Sequence, residues 1–520
     1  MSMLSQSCSL QADRVAVLIR SQLTAHNSQW ANLNPHLSEL QAFYKQRDYH
    51  PVWVDERGPL PHAQQLLNLL MNAGEEGLDP SCYDIPVLQQ LWPVKMGAGL
   101  AQLEIRLSHA FMKYSDDVRN GQLQPEAKDR YWRAYSGRVP ALKLLKELLA
   151  KDELAAALHD LPPPQLGYEY LRKALRHYNY FAKQGGWSDI PAGQVLQLGQ
   201  RHPQVKLVRE RLMVDDLELE PVARESVALF DRTLHDAVLR FQARYGLEAT
   251  GKVDKATRQA MNVTVTERIQ QIKVNMDRWR WLPRDLGYDY IMVNTAAYQL
   301  TAYVDRQPHM RMRVITGKPE RPSPIVDSKL VQVILNPDWI VPITIAVEDI
   351  IPRIKTEPDY LARHNIRIFT SHKAGAEEIA PTLIDWETIS MDPFPYTLIQ
   401  EPGVGNSLGQ IKFVFLNDFA VFLHDTPIRD LFAQNKRAFS SGCIRVEKPR
   451  ELAKFLLGEG SGWGDDELEQ SIRSGETEKI QMDRNIPIYL VYWTAWVDED
   501  RVVHFRDDIY NWDKVQGKCT

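Results

Sequence analysis

The residues best suited to chemistry are His424 and Cys443, nineteen positions apart in the segments 424–426 and 440–445. A thiol beside an imidazole base can lose its proton, and the resulting thiolate is a nucleophile. Gly442 permits a sharp turn that aims backbone N–H groups at a developing oxyanion. We therefore interpret Cys443 as an acyl-accepting nucleophile, His424 as its base and proton donor, and the Gly442 N–H as an oxyanion donor. The same residues also fit a buried structural cysteine beside an unrelated loop histidine.

Two short elements must position this pair. The apolar run 420–423 predicts a strand that ends at His424, and 448–457 predicts a helix opened by proline. Cys443 is then expected in the turn before that helix, whose N-terminal dipole would favour a thiolate. Arg445 follows two residues later, where it either binds a substrate carboxylate or pairs with a nearby acid.

Composition places the chain among ordinary globular proteins. Its 520 residues fit about three or four domains, and 44% are hydrophobic and 25% charged. The net charge of −5 and the absence of a basic stripe argue against nucleic acid as a partner. The sequence has no apolar run of about eighteen residues, so no transmembrane helix is predicted.

The four cysteines, Cys8, Cys82, Cys443 and Cys519, are widely spread. They form no CxxC pair, and no HExxH motif is present, so neither a metal nor another cofactor is predicted. A disulfide among the outer three cysteines is left open. Residues 14–20 are too short and too charged for the apolar core of a signal peptide, so none is predicted in this chain.

Periodicity predicts a multi-domain α+β protein. We expect a flexible lead-in over residues 1–37, a helical scaffold domain over 38–200 and a three-helix unit over 201–263, with Asp254 capping its third helix. From 265 to 513 the period changes to that of strands, which predicts a mainly β domain. Residues 343–398 interrupt it with a helical, mixed insert, and so long an insert is expected to cap the active site.

Several motifs together resemble the L,D-transpeptidases with a YkuD-type catalytic domain. The His-x-Thr-Pro and Ser-Ser-Gly-Cys-Ile-Arg motifs are similar to the family signature, and the likeness extends over residues 38–513. The remaining motifs are Asn336–Pro342, which resembles the entry to the substrate-capping insert, Gln400–Gly409 with Lys412-Phe413, and the C-terminal Tyr492–Val497 and Phe505–Tyr510.

The resemblance implies roles for further residues. Ser441 stands where many members have His, and the backbone carbonyl of this residue is expected to orient His424. Trp339 and Asn406 lie in the motifs that flank the insert, and we predict that they bind substrate with Arg445. Core packing is the alternative for Trp339. Residues 201–263 resemble a peptidoglycan-binding module, which either binds glycan or serves as a spacer.

The resemblance also implies an activity, a peptidoglycan cross-linking cysteine acyltransferase. A thioester at Cys443 would form with release of the terminal D-alanine of a tetrapeptide stem, and a neighbouring amine would then give a 3→3 cross-link. The family implies a periplasmic role in cell-wall biogenesis and cell shape. It also implies stem peptides and cell-wall synthases as partners and acylation by carbapenems.

Three other functions remain open at this stage. Water as acceptor would make the protein an L,D-carboxypeptidase. A cysteine peptidase acting on proteins is a further class, although the sequence lacks papain-like surroundings of the cysteine. A non-catalytic peptidoglycan-binding scaffold with a vestigial cysteine site is the third.

Overall fold

The computed structural model describes residues 14–24, 30, 36–123, 131–133, 139–150, 158, 160–216, 218–373, 375–389, 394–458 and 462–514. The α-helices outside the insert are 14–24, Leu37–Gln46, Pro61–Met71, Ile85–Leu91, Ala98–Asn120, Ala141–Leu149, Leu166–Lys183, Gln204–Leu212, Arg232–Arg244, Lys255–Asn262, Val265–Trp279, Pro449–Leu457 and Asp465–Ser474. The insert contributes the helical segments Ile343–Ile345, Ala346–Ile350, Ile351–Thr356 and Tyr360–Arg363.

The strands, numbered in chain order, are β1 Val54–Asp55, β2 Gly58–Pro59, β3 Trp132–Arg133, β4 Tyr290–Asn294, β5 Gln299–Val304, β6 Gln307–Gly317, β7 Ile325–Leu335, β8 Trp339–Ile340, β9 Ile366–Phe369, β10 Thr397–Gln400, β11 Ile411–Phe415, β12 Leu423–His424, β13 Ala438–Ser440, β14 Ile444–Val446, β15 Glu478–Val491, β16 Ala495–Val497 and β17 Val503–Phe505.

The N-terminal helices pack around the long helix Ala98–Asn120, most of which is buried. The prediction of a flexible lead-in over 1–37 is wrong for residues 14–24, which form a helix. Val15, Ile19 and Leu23 recur every four residues and are buried against the scaffold core. The charges at Arg14 and Arg20 had hidden this apolar stripe.

The three helices expected over 201–263 are present, and the Asp254 side chain caps the third by accepting from the Thr257 N–H at 2.8 Å. Their core also includes the helix Leu166–Lys183. The expected scaffold boundary at residue 200 therefore differs from the packing, because this helix shares a core with the three-helix unit.

The C-terminal domain is built on a sheet with the order β11-β12-β14-β6-β5-β4-β15-β7-β3. Because β11 also pairs with β7, the eight strands from β11 to β7 close into a ring. The helix Pro449–Leu457 packs against β11 and β15. The strand predicted over 420–423 is mostly wrong, since Ala420 has φ +53° and regular pairing begins only at Leu423.

The insert between β7 and β11 has its own core. It contains a small sheet, β8-β10-β9, that was not predicted, and this sheet begins and ends outside the expected limits 343–398. Pairing of Ile340 with Ile399 brings its two ends together. The insert is thus a compact unit rather than a loop, and both of its ends lead into the catalytic sheet.

The protein is therefore a multi-domain α+β chain with a helical N-terminal scaffold, a three-helix unit and a mainly β domain that carries an insert. Within the described segments, no helix is both long enough and apolar enough to cross a membrane.

Candidate active site

Three neighbouring strands bring charged and titratable residues to one face of the sheet. Lys412 on β11 lies opposite His424 on β12, and His424 lies opposite Arg445 on β14. Directly opposed residues of paired strands project to the same side, and so do residues two positions apart. Cys443 precedes β14, and its thiol lies close enough to Lys412 and Arg445 for both charges to act on its pKa, while Leu423 and Ile444 point into the core.

Cys443 lies in the turn between β13 and β14, so a strand rather than a helix follows it. The expected thiolate-favouring helix terminus is therefore not next to the thiol. Burial raises the pKa of Cys443 to about 11, although the Phe422 N–H and the charges of Lys412 and Arg445 act in the opposite direction. The resting Cys443 side chain is thus a protonated thiol at neutral pH.

His424 is buried at the end of β12, with Nδ1 2.5 Å from the carbonyl oxygen of Asp425. Desolvation, and after it the positive charge of Arg445, lowers the pKa of His424 to about 3. The ring packs edge-on against Phe422 at a centroid distance of 5.7 Å. His424 is therefore uncharged at rest, with Asp425 rather than the expected Ser441 supplying the carbonyl at Nδ1.

The turn that carries Cys443, named here the nucleophile turn after the role predicted for this residue, is held by two serines. Gly442 has φ +114°, a conformation that favours glycine. Its N–H donates to Ser440 Oγ at 3.2 Å, and Ser440 Oγ donates to the Cys443 carbonyl at 2.6 Å. Ser323 Oγ donates to the Gly442 carbonyl at 2.7 Å. The Gly442 N–H predicted to bind an oxyanion is thus engaged by Ser440 in the resting structure.

Two cations flank the thiol without an acidic partner. Arg445 Nε is buried and has no hydrogen-bond partner, and among the described residues neither Arg445 nor Lys412 forms an ion pair. Burial lowers the pKa of both residues. The Lys412 ammonium lies 3.8 Å from the centre of the Phe422 ring. This face therefore offers positive charge to an anionic group beside the nucleophile.

The insert contacts the nucleophile turn through Arg321. This residue pairs with Glu348 and Asp349 on the insert and donates to Ser441 Oγ at 3.0 Å. Ser441 thus joins the turn to the insert through its side chain.

The two residues predicted to bind substrate near the insert have structural surroundings instead. Asn406 is buried, and its side-chain amide donates to the carbonyls of Pro337, Gln400 and Glu401 while its oxygen accepts from the Leu408 N–H. With every polar atom used to close the base of the insert, Asn406 has no group left for substrate. Trp339 is half-buried against the core of the insert.

The sequence reasoning missed Lys412, Ser440 and Ser323 as parts of the site. Lys412 belongs to the Lys412-Phe413 motif, but its place opposite His424 follows only from the pairing of β11 with β12, and Ser323 carries no sequence signal. Across the part of the chain that the structure describes, no group of three or more His, Cys, Asp or Glu residues is arranged to hold a metal ion.

Three domain families match the chain. They are the scaffold domain over residues 38–175, a family described as "Putative peptidoglycan binding domain" over 201–261, and YkuD, the L,D-transpeptidase catalytic domain, over 288–478. The third match contains His424, Cys443 and Arg445 together with the whole insert.

A curated protein of Haemophilus influenzae named "Putative L,D-transpeptidase" is 37% identical over 245 residues. The match covers 47% of this chain and 48% of that protein, so the chain spans about half the length of this relative.

Two solved structures also match. An L,D-transpeptidase from Mycobacterium smegmatis has 12% identity, covering 39% of this chain and 58% of the other, at a TM-score of 0.19. One from Xylanimonas cellulosilytica has 14% identity, covering 58% and 99%, also at 0.19. TM-scores this low add nothing to the account of the fold. The family matches and the curated relative, taken with the site, show that the chain contains a YkuD-type L,D-transpeptidase catalytic domain joined to a peptidoglycan-binding domain and a scaffold domain.

Proposed function

We propose that the protein is a peptidoglycan L,D-transpeptidase that forms 3→3 cross-links through a thioester at Cys443. The observation that carries the proposal is the row of Lys412, His424 and Arg445 across three paired strands, with the Cys443 thiol close to two of these residues. A half-buried thiol, a buried imidazole and unpaired cations are the groups that acyl transfer to and from a carboxylate-bearing peptide requires.

In the first half-reaction, His424 takes the thiol proton as Cys443 Sγ attacks the carbonyl before the terminal D-alanine. The tetrahedral intermediate collapses when the imidazolium gives that proton to the leaving amine, and a thioester remains. In the second, the amine of a neighbouring stem attacks the thioester and passes its proton to His424, and the thiol is restored. A Gly442 N–H released from Ser440 would stabilise the oxyanion.

The charge of Arg445 near the imidazole suggests how binding of the substrate would change the basicity of His424. The cation of Arg445 helps to hold the pKa of His424 near 3, so the resting imidazole is a weak base. A donor carboxylate bound at Arg445 would neutralise that charge and raise the basicity of His424. Arg445 would then bind substrate and allow proton transfer only when the donor is present.

The insert favours transfer to an amine over hydrolysis. It is a packed unit, and Arg321 ties it to the nucleophile turn through Glu348, Asp349 and Ser441. A cap that excludes water protects a thioester until an amine acceptor arrives. A water acceptor would give the L,D-carboxypeptidase alternative.

Location and partners follow from the same proposal. Cys82 is disulfide-bonded, while Cys8 and Cys519 lie outside the described residues. Disulfides persist in oxidising compartments, which supports action outside the cytoplasm, and we propose the periplasm. Stem peptides are the proposed substrates, cell-wall synthases the proposed protein partners, and carbapenems the proposed covalent inhibitors at Cys443.

The test is to incubate purified disaccharide-tetrapeptide with the native protein, Cys443→Ala and Cys443→Ser, and to analyse the products by mass spectrometry. The native protein should give a cross-linked dimer that lacks one D-alanine, and both variants should give none. Cys443→Ser is the matched control because it keeps nearly the shape of the side chain while replacing the thiol by a poorer nucleophile.

If the native protein gave tripeptide but no dimer, its activity would be L,D-carboxypeptidation rather than transpeptidation. If the native protein yielded neither product, the non-catalytic peptidoglycan-binding scaffold would become the better account.

A further inference from the structure

A cleft lies between the peptidoglycan-binding domain and the catalytic domain, and His424 and Cys443 are not among the residues that line it. It encloses about 300 Å³, a volume at the lower end for small-ligand sites. Its walls come from the end of the helix Arg232–Arg244, the turn between β4 and β5, the residues just before β13, and the segment after β17. Both domains are thus needed to form it.

The cleft presents two guanidinium groups that form no ion pair with a described residue, although the carboxylate of Asp507 also lines it. Arg437 and Arg506 both line it, both are half-buried, and neither forms an ion pair with another described residue. Burial and then the nearby charge of Arg437 lower the pKa of Arg506 to about 10, still high enough for a full charge at neutral pH. Lys436 adds a third cation, which pairs with Asp507 at 3.1 Å.

The two guanidinium groups are fixed in place by the fold. Arg506 Nη1 donates to the Arg244 carbonyl at 2.6 Å and so binds the C-terminal end of the helix Arg232–Arg244. Gly246, at φ +67°, leaves room for it, since a Cβ there would lie 2.7 Å from Arg506 Cδ. Arg437 donates to four backbone carbonyls, those of Val314, Tyr298, Gln434 and Asn435. Arg506 uses only Nη1 in its hydrogen bonds to other described residues, so its Nε and Nη2 groups remain available to an anion in the cleft.

The wall beside Arg437 is also unusual. Tyr298 is a non-glycine residue at φ +55°, and its ring lies 5.3 Å from the Arg437 guanidinium. Left-handed backbone at a bulky residue is uncommon and is concentrated at ligand sites. The small residues Ala296 and Ala297 next to it leave space above the two guanidinium groups.

The cleft is linked to the nucleophile through a short stretch of chain. The Arg437 carbonyl accepts from the Thr316 N–H at 2.9 Å, and β13 then runs directly from Ala438 to Ser440. Ser440 is the residue that holds the Gly442 N–H and the Cys443 carbonyl. An anion bound at Arg437 would therefore contact the chain three residues before Ser440, the serine that holds the nucleophile turn.

We propose that this cleft is a second peptidoglycan subsite, which binds a carboxylate of a stem peptide between Arg437 and Arg506. This inference rests on the proposed function for its ligand. Guanidinium groups bind carboxylates through paired, charge-assisted hydrogen bonds, and the cleft has the volume for a short peptide or single-sugar portion of the strand. The subsite would hold the strand in both domains while Cys443 acts on one of its stems.

The test places a competing carboxylate in the cleft without removing any existing hydrogen bond. Ala243 and Ala249 are exposed residues on its lining. Ala243→Glu would face the guanidinium groups with an internal anion, and Ala243→Gln is the uncharged control of the same size. Ala249→Glu and Ala249→Gln repeat the comparison from the following turn, so a local folding defect at one position does not decide the outcome.

The four variants are made in full-length protein with Cys443→Ala, and binding of soluble disaccharide-tetrapeptide is measured by calorimetry. Both glutamine variants should bind the ligand at two sites, whereas both glutamate variants should weaken one site at least about tenfold. The same ligand with its carboxylates amidated should lose that site in the glutamine variants. Equal binding by the glutamate and glutamine variants, or equal binding of the amidated ligand, would overturn the proposal.

Acylation of Cys443 in the otherwise native protein is measured separately. If it occurs while the glutamate variants bind normally, the second subsite is wrong and the proposed function stands. If no acylation occurs but the variants differ as expected, the cleft binds peptide while the proposed catalytic function fails.

Discussion

Arg211 and Arg445 are both arginines in buried surroundings, yet their environments are opposite. Arg211, in the peptidoglycan-binding domain, is 1% exposed and donates to Asp215 at 3.0 Å, to the Tyr245 hydroxyl at 2.9 Å and to the Met261 carbonyl at 3.1 Å. Its guanidinium also lies 4.0 Å from the centre of the Trp187 ring. Arg445, in the catalytic domain, has a buried Nε without a partner and no acidic neighbour in an ion pair among the described residues.

The pKa values of the two arginines move in opposite directions. Burial opposes the charge of Arg211, but Tyr245, Asp215 and Tyr178 outweigh it and raise the pKa. Burial lowers the pKa of Arg445, and only the thiol of Cys443 acts against it. The difference separates a charge that is paired within a domain from a charge that we propose binds the substrate carboxylate.

The largest effect should be a pH dependence at the catalytic face. With the thiol pKa raised to about 11 and that of His424 lowered to about 3, Cys443 is protonated across the neutral range. The thiolate fraction, and with it alkylation of Cys443 by iodoacetamide, should rise about tenfold per pH unit from pH 7 to 10. Peptide mapping isolates Cys443 from the other cysteines. A plateau with a midpoint below about pH 8 would instead indicate a pre-formed thiolate–imidazolium pair.

Replacing Arg211, whose charge is paired, should lower the stability of the protein. Arg211→Met leaves Asp215 buried without its cation, which is expected to lower the free energy of unfolding by about 3–5 kcal/mol. Urea denaturation followed by tryptophan fluorescence measures this, because Trp187 stacks on Arg211. If the free energy of unfolding fell by less than about 1 kcal/mol, Arg211 would not be a stabilising charge, and its proposed difference from Arg445 would be wrong.

Replacing Arg445, whose charge is unpaired, by methionine should lower the catalytic activity. Arg445→Met removes an unpaired charge, so the free energy of unfolding should stay unchanged or increase. Loss of a charge-assisted contact to the donor carboxylate, worth about 1.5–3 kcal/mol, should lower kcat/KM about 10–100-fold. Arg445→Lys is the control that keeps the charge and should recover part of the loss. A destabilised protein with normal kcat/KM would make Arg445 structural.

Lys412 should produce the smallest of these effects. Its charge lowers the pKa of the Cys443 thiol, so Lys412→Met should raise that pKa and slow alkylation at pH 8 about three- to tenfold. Lys412→Arg serves as the charge-retaining control. Equal alkylation rates in native and Lys412→Met protein would show that Lys412 does not act on the thiol.

The parts of the fold with a strong local pattern were predictable. The change to a strand period after residue 265 precedes the first long strands, β4 and β5, and Asp254 caps the helix that it was expected to cap. The helix at 14–24 was missed because its apolar run was weighed only as a signal-peptide core, for which residues 14–20 are too short and too charged. Tertiary pairing decided the rest, since the small sheet β8-β10-β9 depends on contacts between distant segments that no local pattern encodes.

The candidate site was likewise predictable only in part. The sequence was enough to single out Cys443 and His424, because their types and the neighbouring glycine indicate nucleophile chemistry. It could not show that Asp425 rather than Ser441 lies at His424 Nδ1, or that the amide of Asn406 is used by the backbone. Hydrogen-bond partners depend on the path of the chain in three dimensions, and Ser323 reaches the Gly442 carbonyl from 119 positions away.

The most direct test of the central claim is the mass of the intact protein after a brief incubation with disaccharide-tetrapeptide and acid quenching. The account predicts a covalent adduct equal to the donor without its terminal D-alanine, located on Cys443 by peptide mapping, absent from Cys443→Ala and reduced in Arg445→Met. An adduct on another residue, or product formation by Cys443→Ala, would contradict it.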